Sequence, residues 1–382
     1  MRSGRPAAAV LPALLALVVA SGCGERREAA PHGLVIGAIL PLTGPASGAG
    51  ERVRAGLELS AAFAEAPFPV EVRAVDGAGD PRASTRRAWD LLADPEVVAV
   101  VGGWGPHTAR PLAALLEPRG LPFVALSPRA VPPGAGPVGP PTLHRLESLG
   151  AAAARWAVED TGVRSAAVLL DPARPASVAL AAAFEDELVV RGGEIVWRIE
   201  LDEDREPVRP RGPEPALEVL FAATDTGPVR AAASFGRRLA EAPLLLVEGW
   251  AIEDADSLAA EGRTVRVVSW WSAADDAPPA VALLEAARAV DETPSPALAF
   301  GWDAVRLLVA AAVDGGPTRE GIEASLRSGI SVLGATGRLA GRGPAGASES
   351  PAVSARGEDG GFLRRVEVVT GRRPAEEGPP AP

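Results

Sequence analysis

Tyrosine is absent from this 382-residue chain, cysteine occurs once, and histidine three times. The single cysteine, Cys23, excludes an intrachain disulfide and any multi-cysteine metal site. His32, His107 and His144 are too scattered to suggest a metal centre, so no metal ligand set is expected. The chain also lacks a Gly-x-Ser-x-Gly elbow, a phosphate-binding Gly-Lys-Ser/Thr loop and a dinucleotide Gly-x-Gly-x-x-Gly string in a strand-to-helix setting. Neither catalysis nor a cofactor is therefore expected. A formal charge of −11 argues against a nucleic-acid groove and says little about a small ligand.

The amino terminus sets the compartment. Arg2 and Arg5 precede an apolar run from Ala7 to Ala20, and Ser21-Gly22-Cys23 follows directly. The run is short for a membrane span and ends in small residues, as a cleaved export signal does. Ala20-Ser21-Gly22-Cys23 resembles the bacterial lipobox, with alanine where leucine is commoner. Acylation of Cys23 would consume a thiol that is otherwise exposed to oxidation. A retained membrane anchor and an ordinary signal-peptidase site beside Cys23 are the alternatives. Loss of residues 1–22 leaves 360 residues and, with Arg2 and Arg5 gone, a charge of −13. That length exceeds what one core usually supports, so two lobes are expected.

Residues 24–32 are polar and Ala-rich, suited to a tether. Leu34 to Leu40 then forms a continuous apolar run, as a parallel strand covered on both faces requires. The pattern predicts a helix over 51–66, a strand over 70–75, a helix over 84–93, a strand over 97–101, a helix over 108–116 and a strand over 122–126. A Pro/Gly-rich stretch at 131–141 marks a first crossing between lobes. The second series predicts helix 146–159, strand 164–170, helix 176–190, strand 193–199, a charged loop at 202–215, strand 217–222, helix 228–240 and strand 243–247. A strand over 265–270, helices near 279–290, 299–313 and 318–327, and a last strand over 362–369 complete it; 371–382 is read as a disordered tail. Strands alternating with helices imply open parallel sheets, whose ligands sit beyond the strands' carboxyl ends.

The order of landmarks resembles the branched-chain amino-acid (Leu/Ile/Val) binding family, the type I periplasmic receptors of ABC importers. The resemblance runs through Ile36-Gly37-Ala38-Ile39-Leu40-Pro41-Leu42-Thr43-Gly44, then Gly48, Gly50 and Arg54-Ala55-Gly56. Asp76 with Asp80-Pro81, Val100-Val101-Gly102-Gly103, and Gly120-Leu121-Pro122-Phe123 continue it. Val247-Glu248-Gly249, Ala260-Glu261-Gly262, Gly301-Trp302-Asp303 and Leu333-Gly334-Ala335-Thr336-Gly337 keep the order across roughly residues 33–370. The resemblance implies an α/β fold of two Rossmann-like lobes joined by a three-crossing hinge. It assigns 33–140 plus 273–330 to lobe one and 141–272 plus 331–370 to lobe two. It further implies no enzyme activity, a small ligand such as an amino acid or related carboxylate, an ABC permease as partner, and lipid anchoring at the periplasmic face of a bacterial membrane. A ligand-sensing lipoprotein, or one whose pocket has degenerated, is the alternative on the same fold.

In the resembled family the loop containing Gly103, Trp104, His107 and Thr108 holds the ligand's carboxylate, with Thr108 either offering its hydroxyl or capping the helix. Trp104 and His107 replace the usual serine-rich sequence, and His107 is either a ligand contact or a surface histidine. By similarity Ser127 lies in the region that receives the ligand's amino group, unless it only caps the turn before Pro128. Arg129 suits a second carboxylate or faces solvent. Glu248 matches the family acid that pairs with the ligand ammonium, the alternative being a solvent-facing loop acid. Thr224 ends a predicted strand and either contacts ligand or starts the next helix. Family members often stack a tyrosine near an Asp-x-x-Tyr-Gly pattern; this chain has Asp171-Pro172-Ala173-Arg174-Pro175-Ala176-Ser177 there. Trp250, Trp270 or Trp271 would supply a replacement wall or serve as scaffold.

Overall fold

The computed structural model describes residues 33–126, 146–224, 226–247, 263–271, 277–341 and 366–369. Its first sheet has the order β2-β1-β3-β4, all parallel, from β1 (Leu34–Leu40), β2 (Val70–Asp76), β3 (Val97–Gly102) and β4 (Phe123–Ala125). Every residue of β1 and β3 is buried, as their unbroken apolar runs require of strands covered on both faces. Helices α1 (Ser47–Ala62), α2 (Pro81–Ala93) and α3 (Pro106–Leu116) connect them.

The second sheet has the order β12-β9-β8-β7-β5-β6. Here β5 (Ser165–Leu170), β6 (Glu194–Glu200), β7 (Val219–Ala223), β8 (Leu244–Val247) and β9 (Val265–Val268) run parallel, while β12 (Val366–Val369) pairs antiparallel with β9. α4 (Glu147–Glu159) packs on α5 (Pro175–Val190), and the Phe184 and Phe221 rings stack at 4.2 Å between α5 and β7. The result is the two-lobed, parallel-sheet α/β architecture expected of a type I receptor.

Several element boundaries differ from the pattern-based reading, each for a local reason. α2 starts three residues earlier than Ser84, because Asp80 caps it by accepting from Ala83 N at 2.7 Å and Pro81 fits the first helical position. The single helix expected over 228–240 is instead α6 (Thr226–Ala232), a 3₁₀ turn over Ala233–Phe235 and α7 (Arg237–Glu241). Extended backbone at Gly236 separates the last two, and Glu214 accepts from Leu239 N at 2.9 Å. α1 runs over Ser47–Ala62 instead of 51–66, displaced as a unit against its partner α9 (Pro296–Gly315). The two helices meet backbone to backbone: a Cβ on Gly56 would lie 2.0 Å from Leu298 O, and one on Gly301 2.1 Å from Val53 O. α9 is long and apolar enough to cross a membrane, with mean hydropathy 1.5, yet two thirds of its apolar window is buried, which marks it as a core helix.

Residues 331–340, without an expected strand, form the antiparallel hairpin β10 (Ser331–Gly334) and β11 (Gly337–Ala340). It packs on α8 (Pro278–Ala289) and α9, so within 331–370 only β12 joins the second sheet among the described residues. Asp303 of α9 fastens it. This fully buried carboxylate accepts from Ala335 N at 2.7 Å, Thr336 N at 2.8 Å and Thr336 Oγ1 at 2.5 Å. Burial pushes its pKa up, while these donors and nearby Arg306 pull it down. A Cβ on Gly334 would stand 2.5 Å from Asp303 Oδ2, so glycine leaves the room the carboxylate occupies.

Candidate functional site

The first candidate surface lies where β3 hands over to α3. Gly103 takes φ +75°, and a Cβ there would sit 2.6 Å from Ala109 Cα, so the loop folds tightly onto the helix that follows. Gly105, at φ +94°, stands at the helix cap, and Pro106 opens the helix without an N–H. The N–H groups of Thr108 and Ala109 donate to Gly105 O at 3.2 and 3.0 Å. Those of Trp104, Gly105 and His107 make no bond to described backbone.

The side chains of this loop are placed differently from one another. Thr108 is buried at 2 % exposure and its hydroxyl is shared between Trp104 O and Gly105 O, both at 3.0 Å. It neither caps the helix nor presents a free proton. His107 is exposed, with Nε2 3.2 Å from Gly79 O, which ties the α3 start to the loop after β2. Trp104 is half-buried, its ring 6.4 Å from Phe300 and tilted by 58°. Phe300 is 5.8 Å from Trp270 at 60°, and Trp270 Nε1 donates to Ser148 Oγ at 3.2 Å. Trp104 and Trp270 therefore belong to an aromatic chain joining the first lobe's loop and α9 to α4 of the second. Trp271 is buried beside Trp302 in the cluster around α8 and α9.

The loop after β1 is held by Asp76 at the end of β2, which accepts from Thr43 Oγ1 at 2.6 Å and from the N–H groups of Leu42, Thr43 and Ala78. The Thr43 hydroxyl, followed by the Ala78, Leu42 and Thr43 amides, depresses the carboxyl's pKa against the opposing effect of desolvation. Asp76 is accordingly a loop anchor.

On the second sheet, the ends of β5 and β7 lie side by side, since Leu170 pairs with Ala223. Thr224 follows directly, is 1 % exposed, and its Oγ1 has no hydrogen-bond partner among the described residues. Asp171, 2 % exposed, donates its N–H to Ser177 Oγ at 2.7 Å, and Ser177 in turn donates to Ala223 O at 2.6 Å. Asp171 Oδ1 accepts from Ala173 N at 3.0 Å, and Oδ2 holds Arg174 Nε at 3.4 Å and Arg205 Nε at 3.3 Å. Arg205 sits at φ +64° in a turn after β6 that Asp202 closes by accepting from Asp204 N and Glu206 N. Sequence reasoning missed that Arg174 and Arg205 both meet Asp171. Its one signal was an arginine three residues beyond an aspartate at a strand's carboxyl end.

Ser127, Arg129, Glu248, Trp250 and Cys23 lie outside the described residues. Two hollows, of about 540 Å³ beside Asp76 and α2 and about 570 Å³ along α5 and Arg198, contain none of the expected ligand contacts. Among the described residues no group of three or more His, Cys, Asp or Glu side chains could hold a metal ion.

A family model described as periplasmic binding protein matches residues 33–361. Among solved structures, the chain is similar to the branched-chain amino acid transporter substrate-binding protein LivJ from Streptococcus pneumoniae in complex with isoleucine, at 18 % identity and TM-score 0.61, covering 81 % of this chain and 91 % of that one. It is also similar to the leucine binding protein LivK from Thermotoga maritima, at 20 % identity and TM-score 0.59, over 80 % and 90 % of the two chains. A third likeness is to an ABC transporter solute binding protein from R. palustris in complex with 4-hydroxybenzoate, at 16 % identity and TM-score 0.60, over 80 % and 88 %. At such identities these structures speak for the fold. No curated protein matches the sequence.

Proposed function

Because the chain belongs to the periplasmic binding protein family, we propose that it is an exported solute-binding lipoprotein, anchored through Cys23, that captures a small carboxylate ligand between its lobes for an ABC importer. The ligand is an amino acid or a related acid, and the protein does no chemistry on it. The observation that carries this reading is Thr224: a buried hydroxyl without a partner costs roughly 1–3 kcal/mol, and it sits at a strand's carboxyl end, where ligands of such sheets bind. The opposing half-site is the glycine-rich turn before α3, whose Trp104, Gly105 and His107 amides suit the ligand's carboxylate. Thr108 acts there by fixing the turn through its two carbonyl contacts. Glu248 and Ser127 are assigned to a ligand ammonium, Arg129 to an acidic side group of the ligand, and Trp250 to a wall.

Capture follows from closing the lobes, which removes water from both half-sites and strengthens each polar contact. The test is native mass spectrometry of protein purified without denaturation, followed by thermal shift of the ligand-stripped protein against amino acids and small carboxylates. A retained small acid, or a concentration-dependent rise in melting temperature with one of them, is expected. A folded sample that carries nothing and responds to none rejects the binding role.

A further inference from the structure

The face that α2 and α3 turn to solvent is basic, in a chain whose formal charge is −11. We infer that this face is a membrane-contact surface, which meets anionic phospholipid headgroups and holds the first lobe against the bilayer; this rests on the anchoring at Cys23 proposed above.

α2 and α3 cover the same side of the first sheet, where Ala88 and Leu91 pack with Ala109, Leu112 and Leu116. Their outward residues therefore form one surface. Residues 81–93 and 106–119 supply five arginines against two acids, Asp90 and Glu117. Arg82, Arg86 and Arg110 are exposed, and none of the three has a hydrogen bond or ion pair among the described residues. The acids along α2 and just beyond it are each held by an arginine: Asp90 Oδ2 lies 3.5 Å from Arg87 Nη1, and Asp94 and Glu96 accept from Arg73 at 2.8 and 2.9 Å.

An aromatic side chain stands among these cations. Trp89 is 48 % exposed, and the Arg119 guanidinium, in the 3₁₀ turn Glu117–Arg119 after α3, lies 4.7 Å from its ring centroid. Arg86, Arg87 and Trp89 also line the hollow of about 540 Å³ beside α2, an open recess on the same surface. An indole flanked by free guanidinium groups suits the membrane interface, where the ring takes the headgroup level and the cations meet phosphate.

The topology puts this surface near the anchor. The four strands of the first sheet run parallel, so their amino ends share one edge. β1 begins there at Leu34, and Arg119 lies there too, just before β4. The basic face thus runs along α2 and α3 to the edge at which the chain enters from Cys23. Ten residues separate Cys23 from Gly33, which span at most about 36 Å. An acyl chain at Cys23 keeps that edge within this reach of the bilayer, and an anionic surface then attracts the arginines over the last part of the distance. None of the proposed ligand contacts is among Arg82, Arg86, Trp89, Arg110 and Arg119, so the cleft stays available.

The experiment is vesicle sedimentation with the mature chain, residues 23–382 carrying Cys23→Ser and produced without the export segment, so that no lipid on the protein contributes. Every described element lies within that chain. Vesicles of phosphatidylglycerol and phosphatidylcholine in equal parts are compared with phosphatidylcholine alone at low ionic strength, where screening is weak. Partition onto the anionic vesicles at least tenfold above the neutral ones is expected, and it falls as salt is added. Each arginine near such a surface is worth about fivefold in partition, so R82Q/R86Q should reduce binding tenfold or more and W89A severalfold. R209Q/R211Q removes the same charge from the loop after β6 and should leave binding unchanged. Melting curves exclude misfolding of the variants. Absence of binding to either vesicle, which a surface built for an acidic protein partner would give, overturns the inference, as does binding that is indifferent to R82Q/R86Q and W89A. Mass spectrometry of the protein extracted from its membrane keeps two failures apart: an unmodified Cys23 rejects the anchor and the inference with it, whereas an acylated Cys23 in a protein whose unacylated form ignores the vesicles overturns the inference alone.

Discussion

Replacing Asp303 by alanine tests whether the carboxylate between α9 and the β10–β11 hairpin holds that part of the molecule together. In the wild type it receives two backbone N–H groups and the Thr336 hydroxyl, all within 2.5–2.8 Å, at zero exposure. Alanine removes the acceptor of three buried donors, at about 1–3 kcal/mol each. Relief of the carboxylate's own desolvation recovers part of this, leaving a net loss of about 3–5 kcal/mol. Asp303→Asn keeps the volume and one acceptor oxygen but turns its NH2 toward the other set of donors, and should lie between Thr336→Val and Asp303→Ala. Thr336→Val deletes one bond and should cost about 1–2 kcal/mol. Urea unfolding of ligand-free protein, followed by far-ultraviolet circular dichroism, gives the order wild type, Thr336→Val, then the two Asp303 variants. An Asp303→Ala midpoint within about 0.5 kcal/mol of wild type, the range of neutral surface changes, would refute the clamp.

Thr224→Val should raise the stability of the empty protein by about 1 kcal/mol, by removing an unpaired buried hydroxyl, and weaken the captured ligand five- to thirtyfold; loss of stability without loss of affinity would contradict its place in the site. Gly103→Ala forces a side chain into φ +75°, which costs about 1–2 kcal/mol, and sets its Cβ against Ala109; thermal melts should show that loss and calorimetry a tenfold or greater drop in ligand affinity, and wild-type values in both would contradict the role of the turn. Asp76 has a depressed pKa in the folded protein, so its contribution is complete above its unfolded value near 3.8 and is lost as pH falls through the lower folded one. Asp76→Asn should flatten the decline of melting temperature below that pH; an unchanged acid limb would show that the Thr43 contact carries no linkage.

The strands were the legible part of the fold. β1, β3, β7 and β8 are short, unbroken apolar runs, and their burial on both faces leaves little alternative to a covered parallel sheet. The hairpin was not legible, because Ser331-Val332-Leu333-Gly334 has no alternating pattern and depends on Asp303, about thirty residues away in sequence. α1 was misplaced for a related reason: contact at Gly56 and Gly301 sets how it meets α9, and a periodicity argument sees one helix at a time. In the site, residue positions were readable but bonding was not. Thr108 lies in the expected loop, yet its hydroxyl serves two carbonyls; Arg205 sat in a loop read only as charged, and its meeting with Asp171 follows from β5 and β6 being neighbours.

The aromatic chain joins the turn before α3 to α4. Trp104 follows Gly103, so any shift of that turn moves an indole packed on Phe300, which contacts Trp270, itself tied to Ser148 in the first full turn of α4. Each tilted ring pair contributes about 0.5–1.5 kcal/mol beyond its buried area. A ligand held at micromolar affinity supplies about 8 kcal/mol. On the proposed binding role, ring contacts of that size hold the lobes in register before capture, yet are small enough for ligand contacts to rearrange them. The Trp104 indole thus ties the turn before α3 to α4 through contacts weak enough to yield if the lobes close as proposed.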